Sequence, residues 1–142
     1  MLTFATLAGC KQSKTNMEDL QKEIIESYIS SYNSFDVDGM LKNLNENIVF
    51  ENISNGVVEM KLEGINAFKD QAIAATKYFQ EREQKITSWE FNEMVVSVLI
   101  DYQGILAIEL PNGMKPGDTL KLKGKSTFTF LDKTVVKIVD ES

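Results

Sequence analysis

The reactive side chains in this sequence form a short inventory. There is no histidine and a single cysteine, Cys10. Within one chain that excludes Ser-His-Asp and Cys-His nucleophile pairs, zinc sites built from His and Cys, and any disulfide. No metal site and no cofactor is expected. Proton transfer therefore falls to carboxylates, tyrosines or lysines. Three polar residues stand in apolar settings. Glu51 alternates with Val49 and Ile53 on one strand face. A carboxylate held there has a raised pKa, which suits a base working near neutrality. Tyr28 lies on an apolar helical stripe, so its hydroxyl needs a partner. Ser126 shares a face with Leu122, Phe128 and Phe130. Together these are the candidate catalytic groups. The competing reading has Glu51 facing water, Tyr28 as core with a wet tip and Ser126 as packing filler. Tyr32, one turn beyond Tyr28, joins Trp89, Phe91 and Phe128 as candidate pocket lining, although core or dimer packing suits Trp89 and Phe91 equally. Lys121, Lys123 and Lys125 form a basic stripe that fits anion binding or, more simply, a solvated and protected sheet.

The elements that must position these residues follow from hydrophobic periodicity. Thr15-x-x-Glu18 is a capping-box pattern, followed by apolar residues at 17, 20, 24, 25, 28, 29 and 32. That spacing predicts a helix over 16–33 with one buried stripe. Asp36 can cap a second short helix whose face is Val37, Met40, Leu41 and Leu44. A strand is predicted over 48–53. The turn Asn55-Gly56 then leads into the alternating Val58, Met60 and Leu62, which gives a hairpin. Gly64 opens a third helix reaching Phe79, and the charged run 80–84 ends it. The remainder reads as β: 86–98, a turn at 101–104, 105–110, a turn-rich loop over 111–118, 120–131, and 135–140. The order α-α-β-β-α-β-β-β-β implies an α+β domain with one curved antiparallel sheet wrapped on helices.

The first ten residues end in Leu7-Ala8-Gly9-Cys10. This resembles the bacterial lipobox, in which a signal peptidase cuts ahead of a cysteine that carries lipid. The basic leader is missing and the apolar stretch is short, as expected if the coding start lies upstream. Residues 1–15 then read as a signal remnant and flexible tether, with residues 16–142 as the domain. Cys10 becomes a lipid anchor, which places the protein in the cell envelope, facing the periplasm or the surface of a bacterium.

Tyr28-Ile-Ser-Ser-Tyr-Asn-Ser-Phe-Asp-Val-Asp-Gly39, Asn47-Ile-Val-Phe-Glu-Asn52 and Glu63-Gly64-Ile-Asn-Ala-Phe68 occur in the order seen in the nuclear transport factor 2-like superfamily. This superfamily includes SnoaL-like proteins and ketosteroid isomerase, and the resemblance covers about 17–140. It implies a cone: a strongly bent sheet closing on a long helix, with a cavity between them and frequent dimers through the outer sheet face. It also implies roles. Tyr28 matches an oxyanion-binding tyrosine, Glu51 stands where an aspartate base sits, and Ser126 stands where a second, protonated carboxyl donor sits. Enzymes and non-enzymes share this fold, so the resemblance leaves function open.

Composition narrows the partners. A net charge of -6 argues against nucleic acid, which needs clustered Lys and Arg. The readings in order of preference are a non-catalytic, lipid-tethered domain holding a small apolar ligand, an interaction module that homodimerises or binds a partner through its sheet face, and an isomerase or cyclase using Glu51 and Tyr28. Membrane contact is expected only through the lipid on Cys10.

Overall fold

The computed structural model describes the backbone from residue 5 to residue 142 and side chains from residue 13. The first helix, α1 (Ala5–Asn33), starts well ahead of the predicted position near 16. Ala, Leu, Lys and Gln in 5–12 are good helix formers and outnumber the weaker Thr6, Gly9 and Cys10, so the helix runs through the stretch read as a tether. The Cys10 side chain, on which the expected lipid anchor rests, lies outside the described residues. The stripe holds: Ile24, Ile25, Tyr28 and Ile29 are buried, while Met17 at its far end is 44% exposed.

Asp36 caps α2 (Val37–Leu41), its Oδ1 accepting the Gly39 N–H at 3.0 Å. Leu44 already belongs to β1 (Leu44–Ser54), which pairs with β2 (Val57–Glu63). Asn55 and Gly56 between them both take positive φ, 51° and 79°, as a tight hairpin turn requires. Helix α3 (Ile65–Ala75) follows, with a short 3-10 turn over Thr76–Tyr78.

The charged run 80–84 does not end that helix. It opens β3 (Phe79–Asn92), which turns at Glu93-Met94 into β4 (Val95–Leu106). The turn predicted at 101–104 lies inside β4, and no strand covers 107–110. Glu93, at φ 55°, makes the real turn without any Asn-Gly signature. The last two strands, β5 (Thr119–Leu131) and β6 (Thr134–Glu141), fall where periodicity places them.

The sheet order is β2-β1-β6-β5-β4-β3. It is mixed and open rather than wholly antiparallel, because β1 and β6 run parallel while every other neighbour is antiparallel. Sequence alternation reports which face a residue takes, not the direction of its neighbour, so this pairing could not be read from it. Across the concave face, Ile48, Val96, Val98, Ile100, Phe128, Phe130, Val135 and Ile138 meet Ile24, Ile25, Tyr28, Met40 and Phe68.

The edge strand β3 is tied to α1 by polar side chains. Gln21 Nε2 donates to Glu93 O at 2.7 Å, and Arg82 Nε donates to Tyr32 O at 2.8 Å. The Asn33 amide donates to Gln84 O at 3.1 Å and accepts the Gln84 N–H at 2.8 Å, standing in for a missing neighbour strand.

Candidate functional site

One row of registered residues crosses the concave face: Asn52 opposite Asp140, Asp140 opposite Ser126, Ser126 opposite Val98, and Val98 opposite Trp89. The Asn52–Ser126 end of this row borders a cavity of about 250 Å3. Phe79, Ile100, Leu120 and Leu122 give that cavity apolar walls, while Tyr32, Gln84, Tyr102, Asn52, Ser126 and Asp140 bring polar groups into it. A few placed polar groups in a mainly apolar recess are what fix the orientation of a small ligand.

Two hydrogen-bonded pairs organise these groups. Ser126 Oγ donates to Asp140 Oδ1 at 2.6 Å. The Tyr32 and Tyr102 hydroxyls are 3.0 Å apart, one donating to the other. Burial lifts the Asp140 carboxyl to a pKa of about 6, against the opposing pull of the Ser126 hydrogen bond. Desolvation likewise raises Tyr32 and Tyr102 above the usual tyrosine value, so both present neutral hydroxyls. The cavity therefore offers donors, acceptors and one carboxyl that changes charge in the physiological range.

The expected trio is not assembled. Glu51 takes the convex face, opposite Lys61 and Val139, and its Oε2 lies 3.9 Å from Lys137 Nζ. The inner position goes to its neighbour Asn52. Glu51 does share a face with Val49, but Ile48 and Phe50 make the other face of β1 apolar as well, and that face is the one packed on the core. Tyr28 is 9% exposed and packs edge-on against Phe128, with ring centroids 5.7 Å apart, around a sealed remnant of about 10 Å3. Its hydroxyl pKa is raised well above the usual value by burial first and by the Asp140 charge second. Ser126 does line the cavity, and so does Tyr32. Trp89 and Phe91 stack on each other at 5.6 Å and pack against the core, outside the cavity. Phe128 is fully buried core rather than lining. The lysine stripe lies on the convex face, where Lys123 pairs with Asp101 at 3.0 Å. Among the described residues no cluster of three or more Cys, His, Asp or Glu could hold a metal.

Asp140, Tyr102, Gln84 and Asn52 went unnoticed in the sequence. Asp140 carried the same signal as Glu51, since it alternates with Ile138 in an apolar strand. Gln84 was hidden in the charged run read as a helix end, and Tyr102 in the segment read as a turn.

No protein-family model and no curated protein matches the sequence. Solved structures do match in shape. A protein assigned as a polyketide cyclase from Xanthomonas campestris superposes with a TM-score of 0.74 at 17% identity, over 87% of this chain and 90% of that one. A SnoaL-like polyketide cyclase candidate from Jannaschia sp. CCS1 gives 0.72 at 15% identity, over 86% and 84%. TerC, crystallised with polyporic acid, gives 0.69 at 14% identity, over 85% and 89%. The chain has the nuclear transport factor 2-like cone fold. Within that fold, the cavity between α1 and the bent sheet is the place where its polar groups gather.

Proposed function

We propose that this protein binds a small, mainly apolar molecule carrying a carbonyl or hydroxyl group in the cone cavity. The observation that carries the reading is the meeting of the Tyr32–Tyr102 pair and the Ser126–Asp140 pair around one apolar-walled recess. TerC, a neighbour of the same fold, was crystallised with polyporic acid, which supports the cone as a ligand site. The test is an NMR screen of small aromatic ketones and phenols. Binders should shift the Tyr32 and Tyr102 ring signals and the Ser126 amide together. A screen in which no compound moves them would overturn the reading.

One observation favours a second reading, proton transfer. Asp140, with its pKa of about 6, sits in the cavity held by a hydroxyl donor. It replaces Glu51 as the candidate base, and an isomerase- or cyclase-type activity then uses Asp140 with Tyr32 or Tyr102 as hydrogen-bond donor. Asp140→Asn should abolish turnover and spare binding, and the wild-type rate should inflect near pH 6. Turnover retained in that variant would remove catalysis at this site.

Export and anchoring belong to the same proposal. Lipid on Cys10 tethers the domain to the cell envelope, and Cys10→Ser should release it from the membrane fraction. Homodimerisation through the convex sheet face, where Val95 and Leu99 are exposed, completes the proposal. Light scattering that reports a monomer at high concentration would count against it.

A further inference from the structure

A second recess, of about 380 Å3, lies where the end of α1 meets the β3–β4 edge. At its base is Arg82, which is only 5% exposed. Its guanidinium carbon lies 3.7 Å from the centroid of the Tyr32 ring and 4.5 Å from that of Phe35. Nε is used by the Tyr32 carbonyl. Nη1 and Nη2 are buried and find no acceptor among the described residues. A buried guanidinium left with two unmatched nitrogens costs more than it returns, unless a partner arrives. The register opposite Arg82 is occupied by Gly104, whose missing side chain makes room for the Phe79 ring.

We propose that Arg82 is an anion-binding residue and that this recess takes the carboxylate of a small organic acid. With Nε engaged and aromatic rings packed on the guanidinium, the free edge is the Nη1–Nη2 pair. That edge matches the two oxygens of a planar carboxylate. The rim also contains Glu81 and Glu83, both exposed and alternating with Arg82 along β3. Their charges repel polyanions, which selects a monocarboxylate over phosphate. Asn33, also at the rim, already spends its amide on Gln84.

The experiment is an NMR titration of the intact protein with sodium benzoate, following the Arg82 Nε–Hε signal and the Asn33 and Gly104 amides. Benzyl alcohol and inorganic phosphate serve as comparators. Benzoate should give saturable shifts at these three positions, phosphate weaker ones and benzyl alcohol none. Arg82→Met should abolish the benzoate response. Arg82→Lys keeps the charge but loses the fork, and should weaken binding by about tenfold or more. Circular dichroism checks that each variant is folded, and if Arg82→Met is not, the lysine variant decides. A wild-type protein without saturable shifts would mean that water satisfies Nη1 and Nη2, and the proposal falls. It also falls if a folded variant binds benzoate as tightly as wild type, or if benzyl alcohol binds equally well.

Discussion

Tyr28 and Tyr32 stand one turn apart on the same helix and on the same side of it, yet they meet different environments. Around Tyr28 the cone is closed: Ile24, Ile25, Met40, Phe128 and Val135 leave about 10 Å3. Around Tyr32 it is open: Tyr102, Gln84, Asp140 and Leu122 border about 250 Å3. The residues that differ are on the sheet. The closed half meets α1 with Phe128 and Val135, the open half with Ser126, Gly124 and Asp140. Helical periodicity says only that both tyrosines face inward. Whether an inward tyrosine becomes core or site is decided by strands far along the chain, Val135 for Tyr28 and Asp140 for Tyr32.

The largest expected effect belongs to the closed half. Phe128 is 1% exposed, and Phe128→Ala should cost about 3–5 kcal/mol of stability, as truncation of a buried aromatic does. Denaturant unfolding measures it. A loss below about 1 kcal/mol would mean that the closed end can collapse or fill, and the contrast with the open half would disappear.

Asp140 probes the open half with the opposite sign. Its folded pKa of about 6 lies above the ordinary value of 3.8. Folding thus favours the protonated form, so its contribution to stability is fully present below about pH 4 and is lost as pH rises through 6. Asp140→Asn removes that loss. It should stabilise the protein at pH 7 by on the order of 2–3 kcal/mol and have little effect at pH 3.5. Thermal unfolding across this range reads the difference. A variant no more stable than wild type at pH 7 would show that the carboxyl is well solvated, with no stored cost to spend on a ligand.

The same contrast explains what could be read from the sequence. Helix stripes, the Asn55-Gly56 hairpin, β5 and β6 were legible because each rests on local periodicity or turn chemistry, whereas the cone followed only from the family resemblance. Two polar residues of the cavity, Tyr32 and Ser126, were also legible, Ser126 because it interrupts an apolar strand face and Tyr32 because it follows Tyr28 by one turn on the inward stripe. Glu51 was misplaced because both faces of β1 carry apolar residues, Ile48 and Phe50 on one and Val49 on the other, and alternation does not say which of them meets the core. Arg82 and Gln84 were misread because a run of charge and amide looks alike at a helix end and on an edge strand. What distinguishes them is contact with Tyr32 and Asn33, and no spacing rule connects residues about fifty positions apart.

Gly104 tests how firmly the wall of the open half is set. An added Cβ there would lie 2.7 Å from the Phe79 ring, which itself packs on Tyr102 with centroids 5.8 Å apart. Gly104→Ala should therefore push Phe79 toward the cavity and cost about 1–3 kcal/mol, the usual range for overpacking. Ligand affinity should fall with it. Unchanged affinity would mean that Phe79 swings outward freely and is no fixed wall.

The smallest and sharpest test sets the two tyrosines against each other. Tyr32→Phe deletes one hydroxyl of the 3.0 Å pair and leaves Tyr102 with one partner fewer, a cost of about 1 kcal/mol in stability. Any ligand held by that pair should weaken by roughly tenfold, the worth of one good hydrogen bond. Tyr28→Phe removes a hydroxyl one turn away on a buried ring that packs on Phe128, and should leave affinity unchanged because Tyr28 does not line the cavity. Titrating both variants with the same compound separates the halves of the cone. Equal losses would mean that the sealed end opens on binding and that the cavity extends to Tyr28. A loss confined to Tyr28→Phe would move the site to the deeper position expected of the oxyanion-binding tyrosine and away from the Tyr32–Tyr102 pair.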